Sequence, residues 1–239
     1  LAAEWPEAAQ RLARAFWPGP LTLVVPKRPA VPDIVTAGRP TVALRCPRHP
    51  IATELLRALG EPIAAPSANP FGRASPTQAD HLDEQLRAAV EFVLDAGPCA
   101  VGVESTIVAM MEHRLVLLRP GGVTAEEIEA VGGPLEYPCE RATERPEAPG
   151  RLPRHYAPLT PVVVCAGEMA TPPSAGRWGC LAFRDPPSGG GWARIEVLSP
   201  AGDLREAAAH LFAALRRLDE AGLDGIAAQL VPDHGLGRA

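Results

Sequence analysis

Apolar residues along the chain recur in two ways, either at every third or fourth position or in short continuous runs. The first spacing predicts amphipathic helices, and the second, where β-branched residues dominate, predicts buried strands. Helices are predicted at residues 3–16, 51–60, 77–90, 124–132 and 202–222. Strands are predicted at residues 21–26, 41–45, 91–97, 104–110, 114–122, 161–167, 178–183, 194–199 and 224–232. A further strand that runs into a loop is predicted within residues 62–69.

Turn and capping residues mark several of these boundaries. Gly60 is predicted to end its helix as a C-terminal cap, and Thr77 is predicted to begin the next helix as its N-cap. Between Gly132 and Pro158 the periodicity is lost and six prolines collect, which predicts a linker. The mixture of helices and strands on either side predicts two α/β domains, the second small, three-layered and built on parallel strands.

Composition limits the classes of protein that need to be considered. The 239 residues are 46% hydrophobic and 21% charged, with a mean hydropathy of +0.01, which is typical of a globular protein. The net charge is -5 and no run of like charge reaches five or six residues, so a bound anion must meet local arginines and not a general basic field. The five cysteines include no C-x-x-C pair, which argues against a zinc site and a disulfide framework and favours a reducing cytoplasm. No apolar run reaches the roughly 18 to 20 residues that span a bilayer.

Three predicted strand ends run into small, polar or glycine residues. They are APSANPFG (65–72), GVESTIV (102–108) and LLRPGG (117–122). Ligands tend to sit at strand ends of open α/β sheets, and hydroxyls, amides and exposed N–H groups can cradle a phosphate there. Arg45, at the end of TVALR, is a further candidate because its planar fork suits a carboxylate or phosphate.

Each candidate also has a purely structural interpretation. Ser67 and Asn69 are ordinary turn residues, with the asparagine bonding its own backbone, and Arg45 and Arg119 could be solvated surface arginines. The stretch around Ser105 is harder to explain in this way, because hydroxyls on a buried strand need partners. The sequence contains no G-x-S-x-G turn, Walker A motif or metal-spaced histidine pair, so any chemistry would rest on positioning and electrostatics.

Six motifs, taken in order, resemble the threonylcarbamoyl-AMP synthase family in its long form. They are FWPGPLTLV, VALRCPRHP, PSANPFGRASPT, ESTIV, LRPGGVT and HYAP. The resemblance implies a YrdC-like twisted mixed sheet with helices over residues 1–137, without the N-terminal part of that domain. It further implies a linker or lid at 138–159 and a Rossmann-like C-terminal α/β domain at 160–239.

The resemblance also implies a function. Members of this family condense L-threonine, bicarbonate or CO2, and ATP into threonylcarbamoyl-AMP and pyrophosphate, with Mg2+ expected to accompany ATP. An oxygen of the carboxylated threonine nitrogen attacks the α-phosphate, so no covalent enzyme intermediate is needed. The product passes to a tRNA threonylcarbamoyl-transfer complex; membrane association is not expected, and direct nucleic-acid binding is expected to be weak or absent.

Site residues follow from the same motifs, position by position. The implied contacts are Arg45 and Ser105 for threonine, Ser67 and Asn69 for the nucleotide phosphates, Arg119 for the phosphate or nucleotide, Tyr156 for the nucleotide, and Tyr156 with His155 as a lid. Arg151 stands where the family usually has methionine, which affects the lid contacts.

Two departures and two alternatives accompany this hypothesis. The family carries a K-x-R motif and about half of the catalytic domain before FWPGPLTLV, so the native protein is expected to be longer at the N-terminus, and slightly at the C-terminus. These 239 residues alone are expected to be weakly active or inactive. The alternatives are a carbamoyl-adenylate-forming carbamoyltransferase and a noncatalytic nucleotide- or RNA-binding module, the latter disfavoured by the negative charge and 5% aromatic content.

Overall fold

The computed structural model describes residues 1–70, 72–111, 114–137 and 157–239. Their helices are α1 Glu7–Phe16, α2 Asp33–Thr36, α3 Pro50–Leu59, α4 Glu84–Ala89, α5 Ala125–Gly132 and α6 Leu204–Asp219. Their strands are β1 Leu21–Pro26, β2 Thr41–Leu44, β3 Thr106–Met111, β4 Arg114–Arg119, β5 Leu135–Glu136, β6 Val162–Cys165, β7 Trp178–Ala182, β8 Trp192–Val197 and β9 Gly225–Gln229.

The first sheet is mixed and has the strand order β2-β1-β3-β4-β5. β1 runs parallel to β3, and β4 runs parallel to β5, whereas the β1–β2 and β3–β4 pairs are antiparallel. One face of this sheet packs on α1 and α5, where Leu12, Leu23 and Ile128 are fully buried. The apolar stripes of the two helices therefore supply the core that the strand pattern requires.

The second sheet is wholly parallel, with the order β6-β9-β7-β8. Helix α6 connects β8 to β9 and packs on one face, where Leu181, Leu218 and Ile226 form the centre of a buried cluster. The predicted parallel strands of the second domain are confirmed.

Two predicted strands are wrong. Residues 62–69 and 91–97 have no strand structure, although their composition is strand-like. Ile63 is 43% exposed and Phe92 is 83% exposed, and among the described residues no neighbouring strand pairs with either segment. A strand needs a ladder partner for its N–H and C=O groups, and local composition does not report whether one is present.

The predicted helix at residues 77–90 is also different in the structure. It is divided into a 3₁₀ turn at Ala79–His81 and the short α4, and the N-cap of α4 is Asp83. Thr77 instead donates its backbone N–H to His81 Nδ1 at 3.2 Å, so it is not the cap. The prediction that Gly60 caps its helix is correct, since it takes a φ of 71° after Leu59.

The described residues form two compact units. One contains residues 1–66, 104–137 and 238–239, and the other contains 67–70, 72–103 and 157–237. Residues 67–103 belong to the second unit partly because Gly102 lies against α6. Its φ is 74°, and an added Cβ would overlap the backbone of Ala208 and Ala209. The domain limits expected from the sequence stay a prediction.

Capping of α6 yields a test of how the second unit is stabilised. The Asp203 carboxylate accepts the N–H groups of Arg205 and Glu206 at the start of the helix. Asp203→Ala is therefore expected to lower the free energy of unfolding by about 1 kcal/mol. Asp203→Asn retains a capping oxygen and serves as the control in urea denaturation. Equal losses in both variants would contradict a capping role.

The ion pairs of Glu196 predict a pH dependence. Burial raises the pKa of this carboxyl, but hydrogen bonds from Arg217 and Arg194 and the positive charges of these residues lower the pKa by a larger amount. The pKa of Glu196 therefore lies below the ordinary value. Its stabilising contribution is therefore complete above the unfolded-state pKa of about 4.3 and is lost as the pH falls through the folded-state pKa. Glu196→Gln should reduce the slope of the melting temperature plotted against pH below about pH 4.5. The exposed Glu168→Gln variant should retain the wild-type slope.

Candidate functional site

Polar side chains of the first unit gather at one end of its sheet. Since β2 and β4 run opposite to β1 and β3, the ends of β2 and β4 lie beside the starts of β1 and β3. This end carries Arg45 after β2, Thr22 in β1, Ser105 before β3 and Arg119 at the end of β4. The sheet therefore brings together three of the residues predicted from the sequence and one, Thr22, that was not predicted.

Ser105 and Thr22 are buried and bonded to each other. Their side-chain oxygens are 2.8 Å apart, and the two residues are 5% and 8% exposed. Arg119 Nη2 donates to the same Ser105 oxygen at 3.1 Å. The hydroxyls before and within these strands thus have the partners that burial requires, as expected from the sequence.

Arg119 is not a solvated turn residue. Its side chain is 13% exposed, and its Nε and Nη2 donate to the Ser105 carbonyl at 3.1 and 2.8 Å. The Glu104 carboxylate lies 3.9 Å from Nη2, close enough to offset the positive charge of the guanidinium but too far for a hydrogen bond between these two atoms. The guanidinium therefore acts on the backbone of the neighbouring strand, and its fork fixes the position of Ser105.

The loop after β4 is held against the start of β3. Thr106 Oγ1 donates to the Val123 carbonyl at 2.5 Å and accepts the Val123 N–H at 2.9 Å. Gly121 packs so closely that an added Cβ would lie 2.6 Å from Ser105 C and Thr106 N. Gly121 lies in the LLRPGG stretch that the sequence marked as a candidate, but its packing against β3 was not predicted, because a close backbone approach leaves no signal beyond the glycine itself.

Arg45 directly follows Leu44, the last residue of β2, and Leu44 pairs with Leu23 of β1. This register places it beside Thr22, and opposite residues of an antiparallel pair face the same side of a sheet. Arg45 is exposed, and no hydrogen bond or ion pair is described for it within the described part of the chain. Its guanidinium is therefore available to an anion at the polar sheet end.

Asn69 belongs to the second unit and closes a turn. Its Nδ2 donates to the carbonyls of Pro70 and Arg73 at 3.2 and 2.8 Å. Because both partners are acceptors, the amide orientation is fixed, and Oδ1 is buried without a partner among the described residues. The asparagine does make the local bonds of a turn residue, yet it retains one unused acceptor. Ser67, two residues earlier, is exposed.

Some predicted residues cannot be placed. Tyr156 and His155, the predicted lid, lie outside the described residues, as does Arg151. Within the described ranges, no group of three or more His, Cys, Asp or Glu residues is arranged to hold a metal ion. The described helices also include none long and apolar enough to cross a bilayer.

Comparison with known proteins identifies the family. The family model described as telomere recombination matches residues 1–121, and the model of the threonylcarbamoyl-AMP synthase C-terminal domain matches residues 123–239. The chain belongs to the threonylcarbamoyl-AMP synthase family. The threonylcarbamoyl-AMP synthases of Pyrococcus abyssi and Bacillus subtilis are 41% and 40% identical to it. The matches cover 100% and 98% of this chain and 73% and 71% of those proteins.

Solved structures agree with this assignment. The P. abyssi Sua5 protein in complex with L-threonine is 38% identical to this threonylcarbamoyl-AMP synthase family member, with a TM-score of 0.89 over all of this chain and 73% of that one. A P. abyssi Sua5 variant with a histidine and the following tyrosine replaced by alanine has a TM-score of 0.86 at 37% identity, over 100% of this chain and 72% of that one. The expected α/β fold is therefore confirmed, and the chain is a nucleotidyltransferase-type enzyme of tRNA modification.

Gly121 provides a direct test of the packing at the sheet end. Gly121→Ala should force β3 and the loop after β4 apart, because the new Cβ would meet backbone atoms that cannot rotate away. We expect a loss of stability of about 2 kcal/mol or more, measured by urea denaturation. Gly190→Ala, where a Cβ would meet nothing within 4 Å, is the control. A Gly121→Ala variant as stable as this control would show that the close approach is absent.

Proposed function

We propose that this family member forms threonylcarbamoyl-AMP and pyrophosphate from L-threonine, bicarbonate or CO2, and ATP. The observation that carries the proposal is that relatives named for this product match the chain over essentially its whole length. The P. abyssi structure that is so similar to this chain contains L-threonine.

Threonine binding is assigned to the polar end of the first sheet. The exposed Arg45 guanidinium donates two parallel hydrogen bonds to the threonine carboxylate, a geometry that its planar fork favours. Ser105 and Thr22 form the polar wall next to it, 2.8 Å apart. Arg119 holds that wall in place by bonding the Ser105 carbonyl, so its role here is to orient Ser105. A contact of Arg119 with the nucleotide stays a prediction.

Nucleotide binding is assigned to the turn that contains Ser67 and Asn69. The exposed Ser67 hydroxyl can donate to a phosphate oxygen. Both N–H groups of the Asn69 amide are already used, so its unused Oδ1 suits a cation or a donor better than a phosphate oxygen. Mg2+ prefers oxygen ligands and is commonly carried by the phosphates of ATP. Asn69 Oδ1 fits an oxygen ligand to Mg2+ that enters with ATP, where the ion would neutralise phosphate charge.

The chemistry needs no protein nucleophile. The threonine nitrogen takes up CO2 and loses a proton, and an oxygen of the resulting carbamate attacks the α-phosphorus. The bond from that phosphorus to the bridging oxygen breaks, and pyrophosphate leaves. What this reaction requires of the protein is that it bind the reactants and hold them in the reactive orientation.

The lid assignment stays a prediction. His155 and Tyr156 are the only adjacent histidine and tyrosine in the sequence, and a solved P. abyssi variant replaces such a pair by alanine. Closure over the site by Tyr156 would exclude water from the mixed anhydride product.

The two rival functions are less well supported. The C-terminal domain model that matches residues 123–239 is described as that of threonylcarbamoyl-AMP synthase, which favours this activity over that of a carbamoyl-adenylate-forming carbamoyltransferase. The net charge of -5 gives little attraction for RNA phosphates, so we propose that the product passes to a tRNA threonylcarbamoyl-transfer complex without strong tRNA binding by this protein.

Arg45 is the sharpest test of the threonine assignment. In the protein as its gene encodes it, Arg45→Met should raise the KM for L-threonine about thirtyfold or more, because a charge-assisted bidentate contact is lost. The KM for ATP should change less than about threefold. Pyrophosphate release with each substrate varied separately measures both constants.

Arg48→Met is the matched control, since Arg48 is an exposed arginine three residues away and has no assigned role. Arg45→Lys should recover only part of the threonine affinity, because the ammonium cannot make the bidentate pair. Equal increases in the two KM values, or the same effect in the Arg48 variant, would contradict the assignment.

A further inference from the structure

Helix α6 has two buried sides. Along one side, Ala207, Ala214 and Leu218 pack on the second sheet. The neighbouring side begins at the buried Ala208, whose backbone carbonyl lies against Gly102, and continues through the buried Phe212. The residues that follow at helical spacing on this side are Arg216 and Asp219. The last turns of the helix therefore present two charged residues away from its own sheet.

Arg216 bonds the segment that follows Asn69. Its Nη2 donates to the Ala74 carbonyl at 2.6 Å, and Ala74 is 7% exposed. No carboxylate lies within ion-pair distance of this guanidinium among the described residues, and its Nε is buried without a partner. Arg216 is half-buried, and withdrawing part of a guanidinium from water is costly, so its contact with the Ala74 carbonyl is the feature to explain.

Asp219 bonds a second segment, at residues 159 and 160. Its carboxylate accepts the Thr160 N–H at 2.7 Å, the Thr160 hydroxyl at 2.8 Å and the Leu159 N–H at 3.0 Å. Burial raises the pKa of Asp219, but these hydrogen bonds together lower the pKa by a larger amount, so it lies below the ordinary value. The carboxylate is thus ionised at neutral pH, and both of its oxygens accept hydrogen bonds.

The two segments are also joined to each other. Arg73 and Ala157 form a parallel bridge, and the Ala157 N–H donates to the Gly72 carbonyl at 3.0 Å. The Arg73 carbonyl in turn accepts a hydrogen bond from Asn69 Nδ2. Gly72 has a φ of 78°, which keeps the turn tight. Hydrogen bonds and short stretches of backbone together therefore connect the end of α6 with the Asn69 amide.

We propose that Arg216 and Asp219 are positioning residues for the nucleotide, through which the second sheet and its helix set the orientation of the Ser67–Asn69 turn. The inference rests on the proposed function, because it uses the assignment of this turn to MgATP. In this proposal each residue acts through backbone groups next to the turn, and together they fix the conformation of the turn before ATP arrives.

Arg216→Met in the protein as its gene encodes it tests the first contact. Methionine retains much of the apolar stem but cannot donate to the Ala74 carbonyl. We expect the KM for ATP to rise about tenfold, the cost of losing a charged hydrogen bond, while the KM for L-threonine stays within about twofold. Arg216→Lys retains one donor and should recover most of the ATP affinity.

Arg217→Met is the matched control. Arg217 is the next residue of the same helix and pairs with Glu196 of β8 at 2.7 Å, within the sheet that α6 covers. Its loss should lower the melting temperature as much as the Arg216 change or more, and leave both KM values unchanged. A purely structural role for Arg216 predicts equal kinetic effects in the two variants, and that result would overturn the proposal.

Asp219→Asn tests the second contact and should also raise the KM for ATP, because an amide N–H group would then face a backbone N–H. An unchanged KM in this variant limits positioning to Arg216 and overturns the two-residue proposal. Binding of a fluorescent ATP analogue to every variant separates the two levels of inference. Wild-type protein that binds the analogue without threonine-dependent pyrophosphate release refutes the proposed function, whereas equal analogue affinity in wild type and Arg216→Met refutes the positioning role.

Discussion

The bond between Arg119 and the Ser105 carbonyl is the contact on which the polar end of the first sheet depends. Two nitrogens of one guanidinium converge on this oxygen at 3.1 and 2.8 Å, at the point where β3 begins. The same side chain reaches the Ser105 hydroxyl, which in turn meets Thr22 on β1. Buried polar groups at a strand end are tolerated only when all of them are paired, and here a single arginine completes the set.

This arrangement explains how the polar side chains at the sheet end are held in fixed positions. The hydroxyl pair is almost fully buried, and the loop after β4 is tied to β3 through Thr106 and the close approach of Gly121. Reactions that proceed by orienting two substrates need such a fixed wall, since small displacements reduce the rate strongly. Arg45 is exposed beside that wall, and in the proposed function its guanidinium binds the threonine carboxylate.

The second unit contributes structure of a different kind. Its helix α6 covers a parallel sheet with one side and holds backbone segments with the other, by way of Arg216 and Asp219. Residues 67–103, which the first family model includes, are therefore packed with elements that belong to the second model. The boundary between two sequence families is thus not the boundary of packing.

The sequence by itself determined most elements, the family and the identity of most candidate residues, because periodicity, caps and motifs are local. The strands of both sheets that carry strong β-branched runs, the cap at Gly60 and the hydroxyls around Ser105 all follow from short stretches of chain. Two strand-like segments, at 62–69 and 91–97, did not form strands, because pairing depends on a distant partner. Only the tertiary structure decided that Arg119 serves the backbone of Ser105, that Asn69 retains an acceptor and no donor, and that Arg216 reaches Ala74. The two arginine contacts join groups that lie 14 and 142 positions apart in sequence, so no local pattern records them. The Asn69 bonds span only one and four positions, but which amide atom they leave unused depends on the folded turn.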